Sequence, residues 1–414
     1  MGAAAARRGA VDVKRGAANS RRMISFDQAL AIVRAAAHTL GTQTVPIEEA
    51  AGRILAKPVV AAIDSPRADV SAMDGYAVRT ADLPGKLTVV GESLPGTGWA
   101  GVVEGRTCVR IFTGAPLPSG ADRIVVQELV NREGDVAVIG SQPDSSTWVR
   151  PRGADFRKGD ELLLVGRRLD PAALVAAAGA DLAEVEAFVQ PRLALFATGD
   201  ELTAPGLARQ SALGVPDSVL PGLVALAMEW GAMVVHQRRL RDDLDPMRVA
   251  VSEAADLADV IVVTGGASVG GRDFAKPMFE PLGLELLFSK VAIRPGKPAW
   301  FGRVRDRLVL GLPGNPTSAL VTARLLLAPL LAALQGRRIE DTLSWEPARL
   351  GSLLPPCDMR ETFHRAALAE GRASILPFQE SHAQKTLALA NVLVRQAANS
   401  PAFAPGTIIQ VLRL

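Results

Sequence analysis

Several features that would settle the class of this chain at once are missing. It has only two cysteines in 414 residues. Cys108 and Cys357 each sit in an apolar-flanked segment, which excludes a disulfide framework and offers no metal-ligand spacing. A reducing cytoplasm is the compartment expected. A membrane span needs roughly 18 uncharged apolar residues, and the best stretch, Leu320–Leu334, contains Arg324 and Pro329. No membrane partner is expected. A basic body is missing too, although the pI is 9.1. Of 46 basic and 43 acidic residues, six and one lie in residues 1–22, so the rest of the chain holds 40 and 42. The basicity belongs to the N-terminal stretch, and no nucleic-acid partner is expected. That stretch lacks a signal-peptide apolar core. It reads as a basic, disordered extension: a transit peptide, or the product of an upstream start with Met23 the true first residue.

What is present is globular. Hydrophobic residues make up 48% and charged residues 21%, enough for two to four domains with a buried core. Ser25 with Gln28 forms a capping-box pattern, and Phe26, Ala29, Leu30, Val33, Ala37 and Leu40 follow at helical spacing up to Gly41. A second short helix is expected over Ile47–Ala56, closed by Pro58. Between Val59 and Trp148, β-type runs alternate with Gly/Pro turns, which predicts an inserted β domain over 59–149. Asp170-Pro171 is a helix start, so 23–58 and 150–190 are expected to form one helical linker domain. Residues 191–336 alternate strand and helix, which predicts a parallel, doubly wound α/β domain. Residues 337–414 carry weaker strand signal and read as a C-terminal β domain.

In a doubly wound sheet, ligands bind beyond the carboxyl ends of the strands. Four loops at such ends are polar and glycine-bearing: Thr198-Gly199-Asp200-Glu201, Asp242-Asp243, Thr264–Asp273 and Leu312-Pro313-Gly314-Asn315-Pro316. The third, with Gly265, Gly266, Ser268, Gly270 and Asp273, is a near miss to a Walker A loop, because Arg272-Asp273 stands where Lys-Ser/Thr is required. Helix N-termini and the cations of Arg294-Pro295-Gly296-Lys297 favour phosphate-like groups. Several carboxylates beside an anion call for a divalent cation between them, and oxygen ligands favour Mg²⁺. Each acid has a plainer alternative: Glu201 balancing a helix dipole, Asp242 forming a turn, Asp273 capping a helix. The β insert adds Asp69–Val78, which holds the only tyrosine and an Asp74-Gly75 pair suited to a hairpin turn, then Thr113-Gly114-Ala115-Pro116 and Arg152-Gly153-Ala154-Asp155.

Taken in order, these stretches resemble the molybdopterin molybdenumtransferase family, the MoeA type, also found as the E domain of gephyrin. The motifs are S-A-M-D-G-Y-A-V at 71–78, T-G-A-P at 113–116, R-G-A-D at 152–155 and T-G-D-E-L at 198–202. They continue with R-D-D at 241–243, G-G-A-S-V-G at 265–270, R-P-G-K-P at 294–298 and P-G-N-P-T-S-A at 313–319. The resemblance implies insertion of molybdate into adenylylated molybdopterin with Mg²⁺-dependent release of AMP. It also implies a homodimer with an inter-subunit active site, handover from a molybdopterin adenylyltransferase and onward to molybdoenzymes. Asp69, Asp155, Glu201, Asp242 and Asp273 match the family's functional carboxylates, with Glu201, Asp242 and Asp273 at the metal. Thr113, Lys290, Arg294 and Lys297 match its other ligand positions, and Thr198, Gly199, Asp200, Pro313, Gly314 and Asn315 fall in its ligand loops. The chain departs from the pattern at Val70, Val219 and Arg294, with Val219 standing where the family commonly carries a polar residue of a D-S/T-N sequence. Two competitors remain on this reading, a non-enzymatic gephyrin-like scaffold and a nucleotide pyrophosphate hydrolase sharing the α/β domain.

Overall fold

A computed structural model describes residues 23–140, 145–266 and 274–414. The chain divides into two compact units, Thr44–Ala187 and the remainder.

The Thr44–Ala187 unit holds a six-stranded sheet in the order Arg123–Val126, Gly75–Val78, Thr107–Ile111, Gly85–Ser93, Val136–Ile139, Asn131–Glu133. Strand alternation divides its apolar residues between two faces. Tyr76, Val78, Cys108 and Val125 pack in one cluster, while Ala77, Val109, Ile111 and Ile124 pack in the other. Burial pushes the Cys108 thiol up to about 11, so it is an inert core residue. The expected hairpin at Asp74-Gly75 is not formed. Val70–Ser71 pairs with Val149–Arg150, and Gly75–Val78 pairs with two other strands. Gly75 is needed because a Cβ there would overlap the Val125 carbonyl. Elsewhere in this unit, the helix Pro171–Gly179 starts as expected, with the Asp170 side chain accepting from Ala173 N.

Two helical expectations fail here. Ile47–Ala56 is a single 3-10 turn, Ile47–Glu49, followed by bridges at Ile54 and Leu55. Gly52, at φ +76°, breaks the run. The first helix, Phe26–Ala36, has its capping box but does not join residues 150–190. Its stripe of Phe26, Ala29, Val33 and Ala36 is buried in the core of the other unit, with Leu330, Leu334 and Phe363.

That other unit is built on a six-stranded sheet ordered Met233–Leu240, Arg192–Thr198, Val260–Thr264, Arg307–Leu312, Trp300–Val304, Glu285–Phe288. The first four strands are parallel. Leu193, Leu195, Val260 and Val262 face a core shared with the helices Val219–Glu229 and Pro316–Leu334, whereas Phe196, Ile261 and Val263 face Leu244–Leu257. Both faces are covered, the signature of a doubly wound sheet. The last two strands run antiparallel. Trp300–Val304 and Arg307–Leu312 are joined by two residues, and a connection that short can only make a hairpin. The helix Pro316–Leu334 is long and apolar enough to cross a membrane, but 89% of its apolar window is buried in the protein. Arg324 lies in a π-turn within it, its guanidinium over the Trp230 ring and its Nε donating to Arg413 O.

The C-terminal residues form a second six-stranded sheet, ordered Ile293–Arg294, Glu361–Ala369, Arg372–Ile375, Glu346–Leu350, Ile408–Arg413, Val392–Gln396. Val392–Gln396 also pairs back onto Glu361–Ala369, so five of the strands close a small barrel around Leu350, Ala366, Val394 and Val411. Arg395 ties this barrel to the first helix, lying over the Phe26 and Trp345 rings and pairing with Asp27 and Glu361.

The tightest constraint in the sheet is at Gly311, where a Cβ would overlap the indole of buried Trp300. Gly311→Ala is expected to destabilise this unit by about 1–3 kcal/mol, read as a lowered denaturant midpoint with unchanged slope.

Candidate active site

Three parallel strands end side by side. Ala197 pairs with Thr264 and Thr264 with Leu312, so Gly199, Gly265 and Pro313 leave the sheet at one level. Thr198 Oγ1 donates to Thr264 O at 3.2 Å, joining the first two ends. Gly265 has φ +90°, and a Cβ on it would lie 2.5 Å from Thr198 O and 2.7 Å from Thr198 Oγ1. A Cβ on Gly314 would lie 3.1 Å from Gly265 Cα. The turns therefore pack backbone to backbone, which only glycine permits.

They open into a cavity of about 790 Å³, within the size range of small-molecule sites. Of the residues expected from the sequence, Thr198, Gly199, Glu201, Asp242, Gly265, Gly266, Lys290, Lys297, Pro313, Gly314 and Asn315 line it. The Glu201 carboxylate lies against Gly199, where a Cβ would stand 2.6 Å from its Oε2. Lys290 and Lys297 belong to one loop, closed by Val291 N donating to Lys297 O at 3.1 Å. Among the residues expected from the sequence, the cavity thus brings two cations, Lys290 and Lys297, and two carboxylates, Glu201 and Asp242, to three strand ends.

Two expected ligand residues of this unit do not line it. Asp200 Oδ1 instead accepts from Asp242 N at 3.2 Å and faces Arg241 Nε at 3.5 Å, so it shapes the Asp242 turn. Arg294 is exposed on a two-residue strand whose partners are Glu361 and Thr362, which carries it toward the barrel. Ser268, Gly270 and Asp273 lie outside the described residues. Among the described residues no three side chains of metal-ligating type gather. Glu201 and Asp242 are the two acids of the expected metal set that share the cavity.

Asp69, Thr113 and Asp155 belong to the Thr44–Ala187 unit. Asp69 accepts from Arg152 N at 2.8 Å and Asp155 N donates to Ser65 O at 2.9 Å, so both sit in one knot of turns. Thr113 is bound to a different acid. Asp74 Oδ1 accepts from Thr113 N at 2.7 Å and from Thr113 Oγ1 at 2.8 Å. These two bonds hold the Asp74 carboxyl below the usual carboxylate range. Asp74, not the expected Asp69 five residues earlier, is the acid that holds Thr113.

The cavity has further walls, away from the strand ends. Asp217, 1% exposed, lines it and closes the start of the Val219–Glu229 helix. Its Oδ1 accepts from Val219 N and Leu220 N, and Arg239 Nη1 lies 3.5 Å from Oδ2. Val219 itself lines the cavity with an apolar side chain. His382 and Gln384 reach the cavity from the C-terminal barrel region. No local motif flags them.

Comparison with known proteins gives the family. Residues 24–180 match the MoeA N-terminal region (domain I and II), 194–333 a probable molybdopterin binding domain, and 347–414 the MoeA C-terminal region (domain IV). The molybdopterin molybdenumtransferase of Haemophilus influenzae is 38% identical over 300 residues, 72% of this chain and 74% of that protein. That of Synechococcus elongatus is 33% identical over 409 residues, 95% of this chain and 100% of that protein. The crystal structure of the molybdopterin biosynthesis MoeA protein from Pyrococcus horikosii superposes with a TM-score of 0.78 at 28% identity, covering 95% of this chain and 99% of that one.

Because the Asp74 pKa is depressed, its bonds to Thr113 hold above that pKa and break only as pH falls through it. The Thr113 amide resonance is expected to titrate with a midpoint below the ordinary carboxylate range. Asp74→Ala should abolish that titration, and Asp69→Asn should leave it in place.

Proposed function

The chain belongs to the molybdopterin molybdenumtransferase family, and from that premise we propose that it inserts molybdate into adenylylated molybdopterin and releases AMP. The observation that carries the reading is the cavity in which Lys290 and Lys297 share three glycine strand ends with Glu201 and Asp242. Lys290 and Lys297 would bind phosphate oxygens of the anhydride. Glu201 and Asp242, hard oxygen donors, are the residues that would hold a Mg²⁺. When bound, the ion neutralises charge on the phosphoanhydride.

On the molybdenum side, two dithiolene thiols replace one oxide of molybdate, and that oxide leaves as water with the two thiol protons. A carboxylate within reach can pass those protons, and Glu201 and Asp242 are the cavity's candidates. Asp273 is assigned to the metal end on the family motif alone. Thr113 and Asp155 would complete the site from a partner copy in a homodimer, and we add Asp74, since Thr113 is fixed by it. Asp69, engaged with the Arg152 backbone, would hold the turn that carries Asp155.

Pure protein incubated with adenylylated molybdopterin, molybdate and Mg²⁺ is expected to yield cofactor that reconstitutes an apo-molybdoenzyme, with AMP released. Glu201→Gln and Asp242→Asn should each lower kcat by about 100-fold or more, and a chelator should stop AMP release. AMP without cofactor would mean a hydrolase, and no turnover would mean a scaffold. A gel-filtration mass near the 43.5 kDa monomer would contradict the shared site, and unchanged AMP release in Asp273→Asn would remove Asp273 from it.

A further inference from the structure

One wall of the crevice is supplied by Ser381–Gln384, and the way it is held differs from the other walls. Asn315 stands at the N-cap of the Pro316 helix, yet its side chain makes no capping hydrogen bond. Its Nδ2 donates instead to Ser381 Oγ at 2.8 Å, across 66 residues of sequence, and Thr317 N donates to Ser381 O at 3.1 Å. The helix is thus capped from the C-terminal barrel region, and an N–H that would otherwise face an anion is taken up by Ser381.

The segment behind Ser381 is fixed from the barrel. Arg365, fully buried, donates from Nη2 to Phe378 O at 3.3 Å and to Glu380 O at 3.2 Å. Arg365 N donates to Gln379 Oε1, while Gln379 Nε2 donates to Arg365 O and Leu376 O. Thr386 Oγ1 donates to Pro377 O at 3.0 Å. Against this network, the side chains of His382 and Gln384 have no hydrogen-bond partner among the described residues, are exposed, and line the cavity. Backbone held on both sides that presents unused donors to a cavity is the arrangement of a preorganised ligand contact.

We propose that His382 and Gln384 donate hydrogen bonds to phosphate oxygens of the substrate, and that Asn315 is a positioning residue that seats them through Ser381. The inference rests on the crevice being the phosphate site of the reaction above. It also gives Asn315, expected from its loop to bind substrate, a positioning role instead.

The test combines steady-state release of AMP with calorimetric titration of AMP itself. His382→Ala and Gln384→Ala are exposed changes that leave the fold intact. Each is expected to raise KM and weaken AMP binding about 2- to 10-fold, the worth of one hydrogen bond. Asn315→Ala should raise KM with kcat within about 2-fold, the split expected when only binding contacts shift. Ser381→Ala should match it, the Asn315→Ala/Ser381→Ala pair should be no worse than either alone, and Ser381→Thr should recover. Wild-type KM and AMP affinity in a combined His382→Ala/Gln384→Ala variant would overturn the contacts. Additive losses in the Asn315/Ser381 pair would show Asn315 acting on the substrate directly. Wild-type protein that binds AMP, less tightly once His382 is removed, yet releases none from adenylylated molybdopterin would sink the reaction and keep the contact.

Discussion

Gly265 has no room for a side chain. The Thr198 carbonyl lies where its Cβ would be on one side, and Gly314 closes against it on the other. This contact of three backbones decides how near the ends of Arg192–Thr198, Val260–Thr264 and Arg307–Leu312 come to one another. It follows from the parallel register, which brings Ala197, Thr264 and Leu312 level, and from the apolar layers on both faces that keep the strands in that register. Every polar group of the crevice is placed relative to it. Glu201 folds back over Gly199, and Asn315 follows Gly314 directly.

Strand order explains why the crevice opens there. The connection from Arg192–Thr198 leads to Met233–Leu240 on one side, while that from the adjacent Val260–Thr264 leads toward Glu285–Phe288 on the other, which leaves a gap at their carboxyl ends. Helix Val219–Glu229 fills one side of that gap and brings Asp217 to its rim. Asp217 tolerates near-complete burial because two helix N–H groups and Arg239 answer its charge. Asp259, at the opposite end of the sheet, is handled in the same way. Burial pushes its pKa up, but hydrogen bonds and charge from Arg192, with Arg307 adding to them, bring it below the usual range.

What the sequence made legible was local. Ser25 with Gln28, Asp170 with Pro171, and the strand-to-turn switches at Thr198, Thr264 and Leu312 each declare themselves within a few residues, because caps and glycine turns act over that distance. Pairing choices do not. Ile47–Ala56 reads locally as a short helix, and nothing nearby announces that Leu55 bridges to Ala187. The acid that holds Thr113 is 39 residues away from it, and two aspartates five residues apart offered themselves equally. The antiparallel edge of the sheet turned on the length of one link, Arg305-Asp306. His382 and Gln384 were beyond reach for the same reason, since only the folded barrel brings them to the crevice.

The seven residues from Ile293 to Ala299 do two jobs at once. Ile293–Arg294 is a strand of the barrel sheet, and Lys297, three residues on and closed onto Val291, lines the crevice with Lys290. The barrel is therefore geared to the cationic end of the cavity through a link too short to carry slack. A swing of the barrel as a rigid body would drag the lysines with it and lift Ser381 from the Pro316 helix in the same stroke. Matching three separate regions of the chain to three separate family segments conceals this. The last segment is thus joined less as an appendage than as a lever whose short arm ends at Lys290 and Lys297 of the crevice.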